Sequence, residues 1–336
     1  MKIWLPYIQA GTGADISTSY LATGLRDRGH DTYKLGFNRR YEFAPWLLRS
    51  VKPPTGCDAI ITNTWNGFAF ARTGIPMVTV DRLFVLDPAL GPYKTPAQRF
   101  YHNVFIRQFV KRSAQSANRV VSVSEYTADI FAKQLGLPRP TVILNAVDTD
   151  FFSPPPQPRR IDPSQPRRLL YVGTLSRRKG TDLLAPIMRQ LGDAYQLYYT
   201  GSADASVLGK DEPSNMHELG RLNQKEIRDQ YRQAHLLVFP SRGEGLARAI
   251  MEALACGTPV VAGNISSMPE AVDEQVGQLC SPDDVSAFVE AITAVTVQDS
   301  TWQGLSVAAR QRAKERFCLK RLLSEFEAVL AQVAAR

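Results

Sequence analysis

The chain has 336 residues, of which 44% are hydrophobic and 21% charged, and its formal net charge is +8. This is the composition of a folded globular protein with one large or two ordinary domains, and it excludes a disordered chain. No apolar run approaches the roughly 18 residues of a membrane span, and the N-terminus does not have the layout of a signal peptide.

The first half of the chain alternates short apolar strands with segments of helical period. The predicted strands span residues 2–7, 30–35, 59–63, 77–81, 119–122 and 141–144. The predicted helices span residues 16–28, 97–116 and 127–134. Such alternation is typical of a parallel sheet covered by helices.

A proline-rich stretch at 151–168 interrupts this alternation and indicates a linker. Strands are then predicted at 168–172, 196–200, 217–219, 235–239, 259–262 and 277–279. Helices are predicted at 181–191, 224–233, 246–256, 282–295, 301–316 and 319–334. The sequence therefore predicts an α/β protein with two Rossmann-like parallel-sheet domains facing across a cleft that binds the ligand. The expected division is a first domain at 1–152, a linker at 153–168, a second domain at 169–318 and a C-terminal helix at 319–336.

Gly11, Thr12 and Gly13 follow the first predicted strand. Glycines at such a turn let the backbone approach a ligand closely. The motif lacks the third glycine of a dinucleotide fingerprint. It therefore predicts either a turn that faces a ligand or an ordinary connection between strand and helix.

Three consecutive cations, Arg177, Arg178 and Lys179, lie beyond a strand that ends at Gly173. The carboxyl end of a parallel strand is where a diphosphate binds, and guanidinium and ammonium groups match phosphate oxygens. Such groups also neutralise the charge that develops on a departing phosphate. The alternative is a solvated basic turn.

Two glutamates frame the most informative stretch of the sequence. Glu244 lies at the mouth of the helix predicted at 246–256, and Glu252 lies two turns inside it. Helical rise separates them by about 12 Å, which is the reach from a donor hexose to a nucleoside ribose. The N–H groups of Gly245, Leu246 and Ala247 are candidates to bind phosphates or sugar hydroxyls. The pattern indicates a sugar-nucleotide site, and the alternative is two unrelated glutamates on a surface helix.

Taken together, these motifs resemble the GT-B glycosyltransferases, and within them the retaining family 4, over nearly the whole chain. Glu244 to Glu252 matches the E-x7-E signature of that family, and residues 173–180 are similar to its phosphate-binding strip. Weaker similarity extends to the segments 26–30, 121–127, 145–152 and 252–261.

The resemblance implies the GT-B fold, with the C-terminal helix returning to the N-terminal domain. It also implies a hexosyltransferase that retains anomeric configuration and needs neither a metal nor a cofactor. The C-terminal domain would hold a nucleotide-sugar donor, with UDP- and GDP-sugars favoured. The N-terminal domain would hold a saccharide or lipid-linked acceptor in the synthesis of bacterial surface polysaccharide or glycolipid.

The resemblance also implies roles for single residues. Glu252 would bind the ribose hydroxyls, Glu244 the hydroxyls of the donor sugar, and Arg178 with Lys179 the diphosphate. Gly13 would approach the donor from across the cleft. The further residues expected around the donor phosphates and base are Gly173, Thr174, Arg177, Leu219 and Arg221.

The sequence departs from the family pattern at four positions. Ala247 replaces a common glycine, and Arg248 adds a charge to the first turn of the helix. Thr174 stands where many members carry arginine, so Arg177 or Arg178 must serve instead. Asp81 stands where many members carry histidine, so either it takes over the catalytic role of that histidine or the role is absent.

The positive charge is concentrated in the first half of the chain. Residues 1–150 hold 18 Lys and Arg against 11 Asp and Glu, whereas residues 151–336 hold 22 against 21. This asymmetry predicts an anionic partner for the first half, either a membrane surface or a phosphorylated substrate, and the alternative is a solvated basic surface. Within this half, residues 94–119 interleave cations with Phe100, Val104, Phe105, Phe109 and Val110. A basic amphipathic helix of this kind binds anionic lipid, which predicts peripheral contact with the inner face of the cytoplasmic membrane. The alternative is that the aromatic side chains face the domain core and the cations face water.

Several other function classes are disfavoured. The four cysteines form no CxxC pair, which argues against a zinc site and a disulfide framework and favours a cytoplasmic protein. The incomplete glycine motif disfavours an oxidoreductase, and the cations accompany no motif for reading nucleic acid. The main alternative to an enzyme is a non-catalytic subunit that binds a sugar nucleotide or a membrane in a polysaccharide assembly complex. The presence of both Glu244 and Lys179 favours the enzyme.

Overall fold

The computed structural model describes residues 1–11, 13–157, 159–201, 205–208 and 212–335. Thr12 of the glycine motif, Pro158 of the proline-rich stretch and the terminal Arg336 lie outside the described residues. The chain divides into two compact units, one formed by Met1–Ala146 with Leu319–Arg336 and the other by Val147–Cys318.

The first unit contains a parallel sheet of six strands. They are β1 (Lys2–Ile8), β2 (Asp31–Phe37), β3 (Ala59–Asn63), β4 (Met77–Asp81), β5 (Arg119–Ser122) and β6 (Thr141–Val142). Their order in the sheet is β2-β1-β3-β4-β5-β6. All five residues of β4 are buried, as expected for a central strand covered on both faces.

Four helices of this unit lie between its strands. They are α1 (Gly13–Asp27), α2 (Pro96–Tyr101), α3 (Arg107–Ser116) and α4 (Glu125–Leu135). A capping box formed by Thr95 and Gln98 starts α2, and a turn of π-helix at His102–Ile106 joins α2 to α3. The single helix predicted at 97–116 is thus interrupted in its middle.

The second unit repeats the architecture. Its strands are β7 (Arg167–Tyr171), β8 (Tyr195–Thr200), β9 (Met216–Gly220), β10 (Leu236–Phe239), β11 (Val260–Gly263) and β12 (Gly277–Cys280). They form a parallel sheet in the order β12-β11-β10-β7-β8-β9. The helices are α5 (Leu184–Leu191), α6 (Gln224–Gln233), α7 (Arg248–Ala255), α8 (Val285–Thr296) and α9 (Asp299–Arg316). The prediction of two parallel-sheet α/β domains is therefore confirmed.

The C-terminal helix α10 (Leu319–Ala334) belongs to the first unit. It packs on α1 so closely that a Cβ added at Gly24 would lie 2.5 Å from Leu323 Cδ1. Arg28 Nη1 donates to Glu327 Oε2 at 2.7 Å, and Arg28 Nη2 donates to the Lys320 carbonyl at 2.9 Å. The expected return of this helix to the N-terminal domain is confirmed. No described helix is both long and apolar enough to span a bilayer.

The described residues of the proline-rich stretch pack onto the second unit. Phe152 is buried and meets the Tyr231 ring edge to face, with 6.2 Å between centroids. The Arg159 guanidinium lies over the Trp302 ring and donates to the Gly257 carbonyl at 2.9 Å. The division between the units falls between Ala146 and Val147, earlier in the chain than the predicted linker.

Candidate functional site

The candidate donor site is built from two loops at one edge of the second sheet. Because β7 and β10 are parallel neighbours, the loops that follow them emerge side by side. The Arg242 backbone N–H donates to the Arg178 carbonyl at 2.8 Å and ties the two loops together. The cationic strip and the first glutamate of the signature are thus brought into contact.

Glu244 is the centre of this contact. Its Oε1 accepts hydrogen bonds from Lys179 Nζ and, at 2.8 Å, from Ser241 Oγ, while Arg178 Nη1 lies 3.4 Å away. The carboxylate is almost fully enclosed, with 12% of the side chain exposed. Burial favours the neutral form, but the charges of Lys179 and Arg178 outweigh it and lower the pKa of Glu244. The site therefore holds an ionised carboxylate between two cations.

The three cations of the strip have different surroundings. Lys179 and Arg178 face Glu244, and Arg178 Nη1 also donates to the Gly243 carbonyl at 2.6 Å. The Arg177 side chain is exposed, while its carbonyl accepts a hydrogen bond from the Arg242 guanidinium. Two of the three predicted cations thus converge on one point.

Arg242 supports both loops and was not predicted as a site residue. Its guanidinium donates to both carboxylate oxygens of Asp182, at 2.6 and 2.9 Å, and to Asp283 Oδ1 at 2.5 Å. Only 8% of the side chain is exposed. In the sequence, only its position two residues before Glu244 pointed to a role in this site. Its acidic partners lie 60 and 41 positions away, so the local sequence does not reveal the ion pairs.

Gly180 ends the strip in a conformation that only glycine adopts easily. Its φ is +68°, and a Cβ at this position would lie 2.0 Å from the Pro240 carbonyl oxygen. The glycine lets the strip approach the end of β10 and places Lys179 beside Glu244.

Glu252 lies in a separate buried network. Its Oε1 accepts from Arg248 Nη2 at 2.8 Å, and its Oε2 accepts from the Tyr231 hydroxyl at 3.2 Å. Burial raises the pKa of Glu252, and the Arg248 charge opposes this. Both carboxylate oxygens are therefore engaged within the chain, and the two glutamates share no partner among these hydrogen bonds.

The helix of the signature begins later than predicted. It starts at Arg248 with Ala247 as its N-cap, so Gly245 and Leu246 precede the helix and do not form its first turn. Ala247 has extended backbone angles and no side-chain cap, because its methyl group has no acceptor atom. Leu246 and Ala247 are 5% exposed, so their side chains pack inward and only backbone groups of this loop suit a ligand.

The other predicted donor residues lie at the ends of neighbouring strands. The Gly173 N–H donates to Thr200 Oγ1 at 3.0 Å, which joins the ends of β7 and β8. Thr174 is exposed and its carbonyl accepts from the Tyr171 hydroxyl at 3.0 Å. Leu219 is half-buried near the end of β9, and Arg221 follows it with an exposed side chain. The structure thus places these residues at the edge that carries the strip.

The remaining two predicted residues belong to the first unit. Gly13 is exposed at the first position of α1. Asp15 holds the preceding turn, because its Oδ2 accepts from the N–H groups of Ala10 at 3.1 Å and Gly11 at 2.7 Å. Asp81 ends β4, at the same edge of the first sheet.

A cavity of about 330 Å³ lies beyond this edge of the first sheet. The polar and aromatic side chains that line it include Tyr7, Asp15, Arg39, Glu42, Trp65 and Asp81. An apolar floor with a few convergent polar groups is typical of a small-molecule site.

Asp81 is a deeply buried carboxyl group at this cavity. It is 2% exposed, its Oδ1 accepts from Thr64 Oγ1 at 3.4 Å, and its Oδ2 has no hydrogen-bond partner among the described residues. Burial raises the pKa of Asp81 to about 7. Its carboxyl group can therefore exchange a proton near neutral pH, and its second oxygen is a buried acceptor without a partner among the described residues.

Comparison with known proteins covers both units. The family profile "Glycosyltransferase Family 4" matches residues 33–151, and the profile "Glycosyl transferases group 1" matches residues 166–297. The glycogen synthase of Mycobacterium tuberculosis (strain ATCC 25618 / H37Rv) is 31% identical over 206 residues, which are 58% of this chain and 49% of that protein. The chain spans about half the length of the curated relatives that it matches.

Solved structures share the whole fold. Sucrose-phosphate synthase from Thermosynechococcus elongatus superimposes with a TM-score of 0.84 and 17% identity, covering 100% of this chain and 99% of that one. Anabaena Alr3699/HepE, solved in complex with UDP-glucose, superimposes with a TM-score of 0.77 and 19% identity, covering 99% and 100%. At these identities the likeness establishes the fold.

Proposed function

The chain has the GT-B fold and belongs to the family 4 type of glycosyltransferases, and on this basis we propose that it transfers a hexosyl unit from a nucleotide sugar. The acceptor is a saccharide or a lipid-linked saccharide, and the reaction is a step in the synthesis of a bacterial surface polysaccharide or glycolipid. The glycogen synthase relative, itself named for a polysaccharide, supports a polysaccharide as the product.

The contact between Lys179, Arg178 and Glu244 is the observation that carries the proposal. Two cations held at the carboxyl ends of parallel strands suit the diphosphate of a nucleotide sugar. When the donor binds, its phosphate oxygens compete with Glu244 for these cations. During bond cleavage the same cations stabilise the negative charge on the departing nucleoside diphosphate. We propose that this positive charge makes a metal ion and a cofactor unnecessary.

We assign the second unit to the donor. Glu244 binds donor sugar hydroxyls, and the backbone of Gly245 approaches the same sugar. Glu252 binds the ribose after Arg248 turns away from its Oε1. A UDP- or GDP-sugar is the favoured donor, and the complex of Alr3699/HepE with UDP-glucose supports the first of these.

We assign the cavity of the first unit to the acceptor. Asp81 lines this cavity, its Oδ2 has no partner among the described residues and burial raises its pKa to about 7, so we propose that it binds an acceptor hydroxyl there. The reaction proceeds with retention of anomeric configuration, as the family resemblance implies.

Isothermal titration calorimetry with UDP-glucose and GDP-mannose tests the donor assignment. We expect one of them to bind, and Lys179→Ala to raise its Kd by about tenfold or more, or about 1.4 kcal/mol. Lys314→Ala, which removes an exposed lysine of α9, is the matched control and should leave the Kd unchanged. Absence of binding by a panel of UDP-, GDP-, ADP- and dTDP-sugars contradicts the proposal. Binding without any turnover favours a non-catalytic subunit instead.

A further inference from the structure

Six large apolar side chains of the first unit face solvent in two short segments. Phe43, Trp46 and Leu47 lie in one segment, and Phe100, Val104 and Phe105 lie in the other. Their exposed fractions range from 42% to 64%. We call these six residues the aromatic patch.

The two segments form one continuous surface. The Tyr101 hydroxyl donates to the Glu42 carbonyl at 2.7 Å, and the rings of Phe43 and Tyr101 lie 5.5 Å apart. The rings of Trp46 and Phe105 both approach Phe109, at 6.1 and 6.5 Å. The patch is therefore a single apolar surface and not six scattered residues, which would need no explanation.

The helix that carries half of the patch is divided by its π-turn. Phe109 and Val110, beyond the turn, are 5% and 1% exposed and belong to the core of the unit. Phe100, Val104 and Phe105, before and within the turn, project outward. The interpretation that all the aromatic side chains of residues 94–119 face the core is therefore wrong for Phe100 and Phe105.

The surroundings of the patch are basic. Segments 39–52 and 94–119 together hold ten Lys and Arg, and Glu42 is their one acidic residue. The exposed cations on these segments are Arg39, Arg40, Arg49, Lys52, Arg99 and Arg112. A partner for this surface must therefore offer both apolar area and negative charge.

We propose that the aromatic patch and its cations bind an anionic lipid surface. Aromatic side chains enter the boundary between headgroups and acyl chains, while the flanking cations attract anionic headgroups. A second copy of the chain fits poorly, because a symmetric pairing of this face would place its cations against one another.

The position of the patch also bears on the acceptor. Arg39 and Glu42, which border the patch, line the cavity that contains Asp81. An acceptor anchored in the bound membrane would therefore have its polar end near the cavity. This second part rests on the proposed function, whereas the lipid binding does not.

Vesicle co-sedimentation of the 336-residue chain tests the lipid contact. We expect the protein to pellet with vesicles of phosphatidylglycerol and phosphatidylcholine at low salt, and to remain largely unbound with phosphatidylcholine alone. The double change Trp46→Ser and Phe100→Ser should lower the partition coefficient by about tenfold or more. Val307→Ser removes a side chain that is 72% exposed in the second unit and should leave the coefficient unchanged.

Two further measurements separate the outcomes. The affinity of the double variant for its nucleotide sugar should equal that of the wild type, which shows that the variant folds and that any loss is specific to lipid. Equal pelleting of the wild type and the double variant contradicts the proposal, as does the absence of wild-type pelleting. A wild-type dimer in sedimentation equilibrium that the double change dissociates, without vesicle binding, would assign the patch to a second copy. Failure of nucleotide-sugar binding in the wild type would refute the proposed function and leave the vesicle result standing.

Discussion

Glu244 and Glu252 present the same carboxylate in different electrostatic surroundings. Lys179 and Arg178 lower the pKa of Glu244 against the effect of burial. Burial dominates at Glu252 and raises its pKa, although Arg248 donates to it at 2.8 Å. Glu244 is therefore suited to a site that binds a charged ligand. The protonation state of Glu252 depends on its partners within the fold.

Removal of one partner of the Arg248–Glu252 pair should destabilise the fold strongly. Arg248→Met leaves a buried carboxylate without its cation, and we expect the free energy of unfolding to fall by about 3 kcal/mol. The double variant Arg248→Met with Glu252→Gln should recover part of this loss, because no buried charge is then left. Tyr231→Phe, which removes one hydrogen bond to Glu252, should cost about 1 kcal/mol. Urea denaturation followed by circular dichroism measures all three, and a single Arg248 variant as stable as the wild type would refute the described network.

The residue-level site could be predicted from the sequence where neighbouring loops carry it. Lys179, Arg178 and Glu244 were named from their positions after strands, and parallel pairing of β7 with β10 brings those positions together. Arg242 could not be recognised in this way. Its burial depends on ion pairs with Asp182 and Asp283, and both residues are distant in sequence. The hydrogen bond from Tyr231 to Glu252 could not be predicted for the same reason, since the two residues are 21 positions apart.

The loop elements of the donor site depend on backbone conformations that side-chain patterns do not show. Apolar period correctly predicted β3, β4, α6 and α10 to their end residues. It placed the start of α7 at Leu246, because Leu246 and Ala247 continue the apolar face, whereas the extended backbone of Ala247 delays the helix to Arg248. The π-turn inside the predicted helix at 97–116 was missed because a single wide turn of five residues is too short to show in the apolar pattern of the sequence.

Substitution of Gly180 tests whether the donor site requires the close approach of its two loops. Gly180→Ala should lower the free energy of unfolding by more than about 2 kcal/mol and weaken nucleotide-sugar binding, because the new methyl group meets the Pro240 carbonyl. Gly136→Ala is the matched control, since Gly136 has φ +62° and nothing within 4 Å of an added Cβ. The control should cost only the left-handed strain of about 1 kcal/mol and leave binding unchanged. Equal effects of the two changes in thermal denaturation and calorimetry would show that the close approach is unimportant.

At the scale of the whole molecule, two similar α/β units carry different chemistry. The second unit holds the cations and glutamates that we assign to the donor, and the first holds the Asp81 cavity and the aromatic patch. The excess of positive charge in the first half of the sequence corresponds to cations around that patch. Composition alone indicated an anionic partner. The apolar surface beside the cations could be recognised only in the structure, because the sequence pattern does not show that Phe105 is exposed and Phe109 is buried.

The most direct test of the account follows the anomeric configuration of the sugar during turnover. Proton NMR would monitor hydrolysis or transfer of the α-linked nucleotide sugar that binds most tightly, with and without EDTA. We predict that the α-anomer appears first, that EDTA leaves the rate unchanged, and that Lys179→Ala lowers the rate by about 100-fold or more. Initial release of the β-anomer, loss of activity with EDTA, or turnover at the wild-type rate in the Lys179 variant would contradict the account.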